Sequence, residues 1–125
     1  MIVGSGVDLA EVSRIRQAIE RFGERFLARV YTPEERAYVG RKKNQYERYA
    51  ARFAAKEAGM KAIGTGWKRG VTWQDLEVVN LPSGKPTLRF SGKAKEFAER
   101  MGVKSVALSL SHTEALAIAE VILES

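Results

Sequence analysis

Two carboxylates sit where a carboxylate is costly. Glu57 lies in a stretch, roughly Gln45 to Ile63, whose spacing reads as one long helix. On a helical wheel Tyr46, Ala50, Phe53, Ala54 and Met60 form one apolar face with Glu57 in its middle. A buried carboxylate is unfavourable unless it is paired or bound to a cation. A salt bridge to Lys61, one turn later, would balance the charge but would not explain an acid in a core stripe. Asp8 ends the segment Ile2-Val3-Gly4-Ser5-Gly6-Val7-Asp8-Leu9, in which strand alternation puts Gly4, Gly6 and Asp8 on one face and Val3, Val7 and Leu9 on the other. Two glycines leading to an acid leave room for something to approach the backbone closely. Asp8 also precedes a helix, with Glu11 where a capping box places its second member, so a plain N-cap stays open beside a ligand role.

Basic residues surround the second acid in sequence: Arg52, Lys56 and Lys61, followed by the turn Gly64-Thr65-Gly66. Mg²⁺ uses one or two carboxylates and fills its remaining positions with water and phosphate oxygens. Lysine and arginine nearby would neutralise the phosphate charge. The constellation points to a Mg²⁺–phosphate site and to phosphoryl-type transfer. The glycine turn is read first as a helix C-cap, although its amides could hold a phosphate oxygen. The single histidine, His112 in Ser109-Leu110-Ser111-His112-Thr113, could bind a phosphate, shuttle a proton or satisfy a turn, and alone it reads as a turn residue. The chain has no Ser-His-Asp order, no G-x-x-x-x-G-K-[ST] loop and no G-x-G-x-x-G fingerprint.

The elements that must position these residues follow from periodicity. An N-terminal strand leads into a helix with Val12, Ile15, Ile19, Phe22 and Phe26 on its core stripe. At about 100° per residue, Arg14, Arg21 and Arg25 form a narrow row away from that stripe, unless Gly23 interrupts the helix. Such a row is either a solvated face or a docking surface. Thr32-Pro33-Glu34-Glu35 opens a second short helix, with Thr32 as N-cap. Arg41-Lys42-Lys43 is a basic loop before the long helix. Trp67 to Gly70 reads as a loop and Thr72-Trp73-Gln74-Asp75 as a turn. Leu76–Asn80 and Pro86–Phe90 read as two antiparallel strands joined by residues 81–85. A helix from Ser91-Gly92 turns Ala94, Phe97, Ala98 and Met101 inward and stops at Gly102. Ser105–Ser111 and Ala115–Leu123 close the chain as a hairpin.

Composition narrows the class. The chain has 125 residues, with 45% hydrophobic and 29% charged, enough for one domain over 1–125 with one modest core. Three prolines, no cysteine and evenly spread aliphatics exclude disorder and disulfide scaffolds, and with them thiol catalysis and cysteine-bound zinc. No apolar run approaches the ~20 residues of a membrane helix, and no signal peptide is visible, so a cytoplasmic protein is expected. Lys+Arg 21 against Asp+Glu 15 gives +6, which favours an anionic partner.

Taken together, Gly6-Val7-Asp8-Leu9 with Arg14, then Arg52-Phe53-Ala54-Ala55-Lys56-Glu57-Ala58 with Lys61-Ala62-Ile63-Gly64-Thr65-Gly66, closely resemble the signatures of the 4′-phosphopantetheinyl transferases. Gly84-Lys85-Pro86 and Ser109-Leu110-Ser111-His112-Thr113 match further segments, and order and spacing follow the short bacterial type. The resemblance implies an α+β fold, with the long helix packed against an antiparallel sheet. It implies transfer of the phosphopantetheine arm of coenzyme A to a serine of apo-acyl carrier protein, releasing 3′,5′-ADP, in fatty acid biosynthesis. By the same carry-over Asp8 and Glu57 would hold Mg²⁺, Glu57 would help deprotonate the serine, and Lys61 would steady the leaving phosphate. Arg52, Gly64, Thr65, Pro86 and His112 would line the coenzyme A site. Arg14, Arg21 and Arg25 would face the acidic carrier protein. A homotrimer, with each active site between two subunits, is implied as well. The competing reading is a small basic nucleic-acid-binding module built on Arg41-Lys42-Lys43, the arginine row and exposed Trp67 and Trp73. Such a module has no use for Glu57 in an apolar helix face.

Overall fold

Strand β1 (Ile2–Glu11) alternates as the sequence predicts, but its inward face carries Gly4, Gly6, Asp8 and buried Ala10, while Val7 and Leu9 stay exposed. The glycines decide this. A Cβ at Gly6 would collide with Ala58 O and one at Gly4 with Ala62 O, so the missing side chains let a helix lie directly on the strand. The computed structural model describes residues 1–66 and 68–125. Trp67, read above as an exposed ring in a loop, lies outside the described residues.

Chain order continues with α1 (Val12–Phe22), α2 (Glu24–Val30), α3 (Pro33–Gly40) and α4 (Gln45–Ala62). A 3₁₀ turn (Trp73–Asp75) leads to β2 (Leu76–Asn80), β3 (Pro86–Phe90), α5 (Gly92–Arg100), β4 (Ser105–His112) and β5 (Leu116–Glu124). The antiparallel order β1-β5-β4 forms the main sheet, and β2-β3 forms a separate antiparallel pair. Helix α4 packs on β1 and β5 and also reaches β2 and β3, so it runs through the middle of the core. Gly59 opens its second side, since a Cβ there would press into the side chains of Leu88 and Leu76.

Four points of the sequence reading are decided or changed here. Asp8 is not an N-cap: it lies inside β1 opposite Ala119, and the cap position of α1 is Glu11, which makes no side-chain capping bond. Gly23, at φ +54, does break the first helix, so Arg25 belongs to α2 and the arginine row is not continuous. Phe22, expected inward, is 49% exposed. The α3 start holds as read, with Thr32 and Glu35 forming a reciprocal capping box. Trp73 is not a free stacking ring: it lies on Phe53 with centroids 4.8 Å apart.

Candidate active site

Asp8 and Glu57 come together because β1 and α4 touch at the glycines. Lys61, one turn after Glu57, donates to Asp8 Oδ1 at 2.7 Å and to Val7 O at 3.2 Å. The simple alternative of a Glu57–Lys61 bridge therefore gives way: Lys61 is committed to Asp8, whose side chain is only 11% exposed. The Lys61 ammonium is pushed up by that hydrogen bond, then by the charges of Asp8 and Glu57. Partial burial, followed by the hydrogen bond and like charge of Asp8, raises the Glu57 carboxyl from 4.5 to about 7, against the lowering effect of Lys61.

Glu57 opens onto a cleft of about 560 Å³ lined by Leu9, Ile15, Ala18, Phe26 and Phe53, with Arg14 at the same wall. It thus stands at a cleft wall rather than in the centre of the core. The fully buried charge on α4 is its neighbour Lys56, paired with Glu35 at 2.8 Å. The cluster of bases expected around Glu57 accordingly divides: Lys61 joins it, Lys56 points into the core, and Arg52 lies elsewhere.

Arg52 is about 140° round the helix from Glu57. It lines a second cleft of about 170 Å³ with Tyr38, Arg48, Asn80, Pro86, Leu110 and His112. Its Nη2 donates to Asn80 Oδ1 at 3.2 Å, and its guanidinium lies 4.3 Å from the Tyr38 ring centroid. Burial pulls the Arg52 pKa down. Among the described residues the Nε atoms of Arg48 and Arg52 are both buried without a partner, which leaves donors for an anion. His112 Nδ1 lies 3.0 Å from Glu47 Oε1, a hydrogen-bond contact that fixes the ring at the strand end. Arg48, Asn80 and Tyr38 escaped the sequence reading. Arg48 had a signal, one turn before Arg52 on the same face; Asn80 and Tyr38 reach the cleft only through the tertiary fold.

Gly64 and Thr65 fall in neither cleft. Gly64 N bonds Lys61 O at 3.0 Å, Thr65 N bonds Met60 O at 3.1 Å, and Gly66 N bonds Met60 O at 3.2 Å. All three amides close the end of α4, so the C-cap reading holds and the amide cradle for a phosphate is not formed within the chain. Arg14 reaches the Glu57 cleft, Arg25 lines a neighbouring one with Phe22, Phe26 and Arg29, and Arg21 lies over the Phe22 ring. Phe26 belongs to both clefts, which joins them despite the break at Gly23.

Among the described residues no group of three or more acids and histidines could hold a metal. Two adjacent carboxylates, one paired with a single lysine and the other opening onto a cleft, fit a hard divalent cation that completes its shell with water and phosphate oxygens.

Residues 4–119 match the 4′-phosphopantetheinyl transferase superfamily, and the chain belongs to that family. Within it the similarity is to proteins named holo-[acyl-carrier-protein] synthase: that of Solibacter usitatus (strain Ellin6076) is 66% identical over 125 residues, 100% of each chain. The crystal structure of the Neisseria meningitidis synthase matches with TM-score 0.89 at 36% identity, covering 100% of both chains. The Helicobacter pylori synthase in complex with coenzyme A matches with TM-score 0.84 at 29% identity, covering 96% of this chain and 99% of that one. The α+β architecture and the family expected from the motifs are borne out.

Proposed function

We propose that this chain transfers the 4′-phosphopantetheine group of coenzyme A to a serine of apo-acyl carrier protein, giving holo-carrier protein and 3′,5′-ADP. The observation that carries the reading is the Asp8–Lys61–Glu57 cluster at the mouth of a cleft, in a chain so similar to a named synthase. The serine oxygen forms a bond to the phosphorus on the pantetheine side of the pyrophosphate. The bond from that phosphorus to the bridging oxygen breaks, and 3′,5′-ADP leaves with the electron pair. Glu57, which opens onto the cleft, takes the serine proton directly or through a bound water. Lys61 stabilises charge on the leaving phosphate while orienting Asp8. Mg²⁺ held by Asp8 and Glu57 would neutralise the pyrophosphate.

Arg52, Pro86 and His112 would bind the nucleotide of coenzyme A, with Arg48 supplying a further donor. They line a cleft that shares no residue with that of Glu57, which supports assembly of each active site from two subunits of a homotrimer. The exposed apolar face of the main sheet, Val7, Leu9, Leu116 and Ile118, supports the same assembly. Arg14, Arg21 and Arg25 would meet the acidic carrier protein, and Gly64 and Thr65 would act through the shape of their turn. We place the protein in the cytoplasm, as one domain over 1–125 serving fatty acid biosynthesis; no described helix is long and apolar enough to cross a membrane.

Intact-mass analysis of apo-acyl carrier protein, incubated with the enzyme, coenzyme A and Mg²⁺, tests this. The expected result is a gain of one phosphopantetheine group that EDTA prevents. No gain with any of several carrier proteins would overturn it.

A further inference from the structure

Lys56 precedes Glu57 and, about 100° round the helix, points into the core, where it is fully buried. Its ammonium donates to Val30 O, the last residue of α2, and to Glu35 Oε1 at 2.8 Å. Glu35 in turn accepts from Thr32 N at 2.8 Å through Oε1 and from Val78 N at 2.7 Å through Oε2. The end of α2, the start of α3 and strand β2 therefore converge on the Lys56–Glu35 pair, with Lys56 bonding α2 and Glu35 bonding β2. A buried ion pair adds little net stability over a well-packed apolar one, so fixing a geometry is the role it can serve.

The geometry concerned is that of the cleft beside Glu57. Phe26 of α2 forms one wall and Phe53 of α4 another. The α2 backbone packs mainly on α1 and the 3₁₀ turn. Arg36 ties α2 to α3 through Glu24 at 2.7 and 2.6 Å, and Gln74 ties it to the turn through Ala28 O and Tyr31 O, both at 2.8 Å. Among the described residues, Lys56 bonds α2 directly to α4, joined just past the helix end by Tyr31 Oη, which donates to Tyr49 O at 2.8 Å.

We propose that Lys56 is a positioning residue: by anchoring Val30 on α4 it sets Phe26 against Phe53, and so the opening through which an acidic protein acceptor presents its serine to Glu57. The inference rests on the transferase reading above. It predicts damage to acceptor use and not to coenzyme A use.

K56M and the double variant K56M/E35Q, in which neither charge is left unpaired, test it, with steady-state transfer measured by varying carrier protein and coenzyme A separately. At least one variant should melt cooperatively and show a carrier-protein KM raised about tenfold, with the coenzyme A KM within about twofold of wild type. Unchanged KM values, parallel rises in both, a fall in kcat alone, or loss of cooperative melting in both variants would overturn the proposal and leave Lys56 a purely structural residue. Wild type without transfer activity would bring down the functional reading instead. Direct binding of apo-carrier protein to wild type and variant would then decide the Lys56 role: about tenfold weaker binding supports it and equal binding overturns it.

Discussion

Glu57 combines two properties that chemistry at neutral pH requires, a cleft position and a carboxyl raised to about 7. Replacing it by glutamine keeps shape and hydrogen-bonding capacity but removes the carboxylate proposed above as proton acceptor and cation ligand. E57Q should stay folded and lose transfer by at least about a hundredfold, measured by the carrier-protein mass assay. The same group sets a pH dependence. Folded, Glu57 holds its proton up to about pH 7, whereas the unfolded chain releases it near 4.5. The folded state therefore binds more protons in between, and stability falls as pH rises from 4.5 through 7. Thermal melts without Mg²⁺ should show wild type losing ground to E57Q across that window, with added Mg²⁺ narrowing the gap. A constant difference would remove the cause assigned to the shift.

At the scale of elements, the crossing of β1 and α4 depends on the absence of side chains. G6A would drive a methyl into the carbonyl of Ala58, which belongs to helix backbone and cannot swing away. It should cost about 2 kcal/mol or more in urea unfolding and lower transfer in the fraction still folded, because Asp8 and Glu57 lose their spacing. The arginines belong to the α1–α2 bend. With Gly23 turning the chain, Arg14 and Arg25 line two clefts joined at Phe26. R14E combined with R21E should raise KM for the carrier protein several-fold, more so at low salt, and leave KM for coenzyme A unchanged. Equal damage to both would count against a docking role.

For the whole molecule, one chain leaves the machinery in two places. Glu57 and Arg52 lie on different sides of α4, and the outer face of the main sheet offers Val7, Leu9, Leu116 and Ile118 to solvent. Association through that face would cover the apolar patch. If the proposed trimer forms through this face, I118K should convert it to monomers in light scattering and abolish transfer, while the isolated chains keep their secondary structure. A monomeric wild type, or an active monomeric variant, would contradict this.

Much of this was legible in the sequence because it depends on local spacing. Helix and strand periods placed nearly every element, the Thr32-Pro33-Glu34-Glu35 run marked the start of α3, and two acids in costly positions pointed to the candidate site. Glycines at 4 and 6 announced a close approach without saying to what. Only the tertiary structure decided that Asp8 is a strand residue facing α4 rather than a cap, because pairing with β5 carries β1 on to Glu11. It also decided which charge is buried. Lys56 and Glu57 are adjacent, and a wheel cannot tell which side of a helix meets a sheet when the helix is packed on two sides. Lys61 turned to Asp8 rather than to Glu57 for the same reason: a partner across an element contact, 53 residues away, stands closer than sequence spacing can reveal.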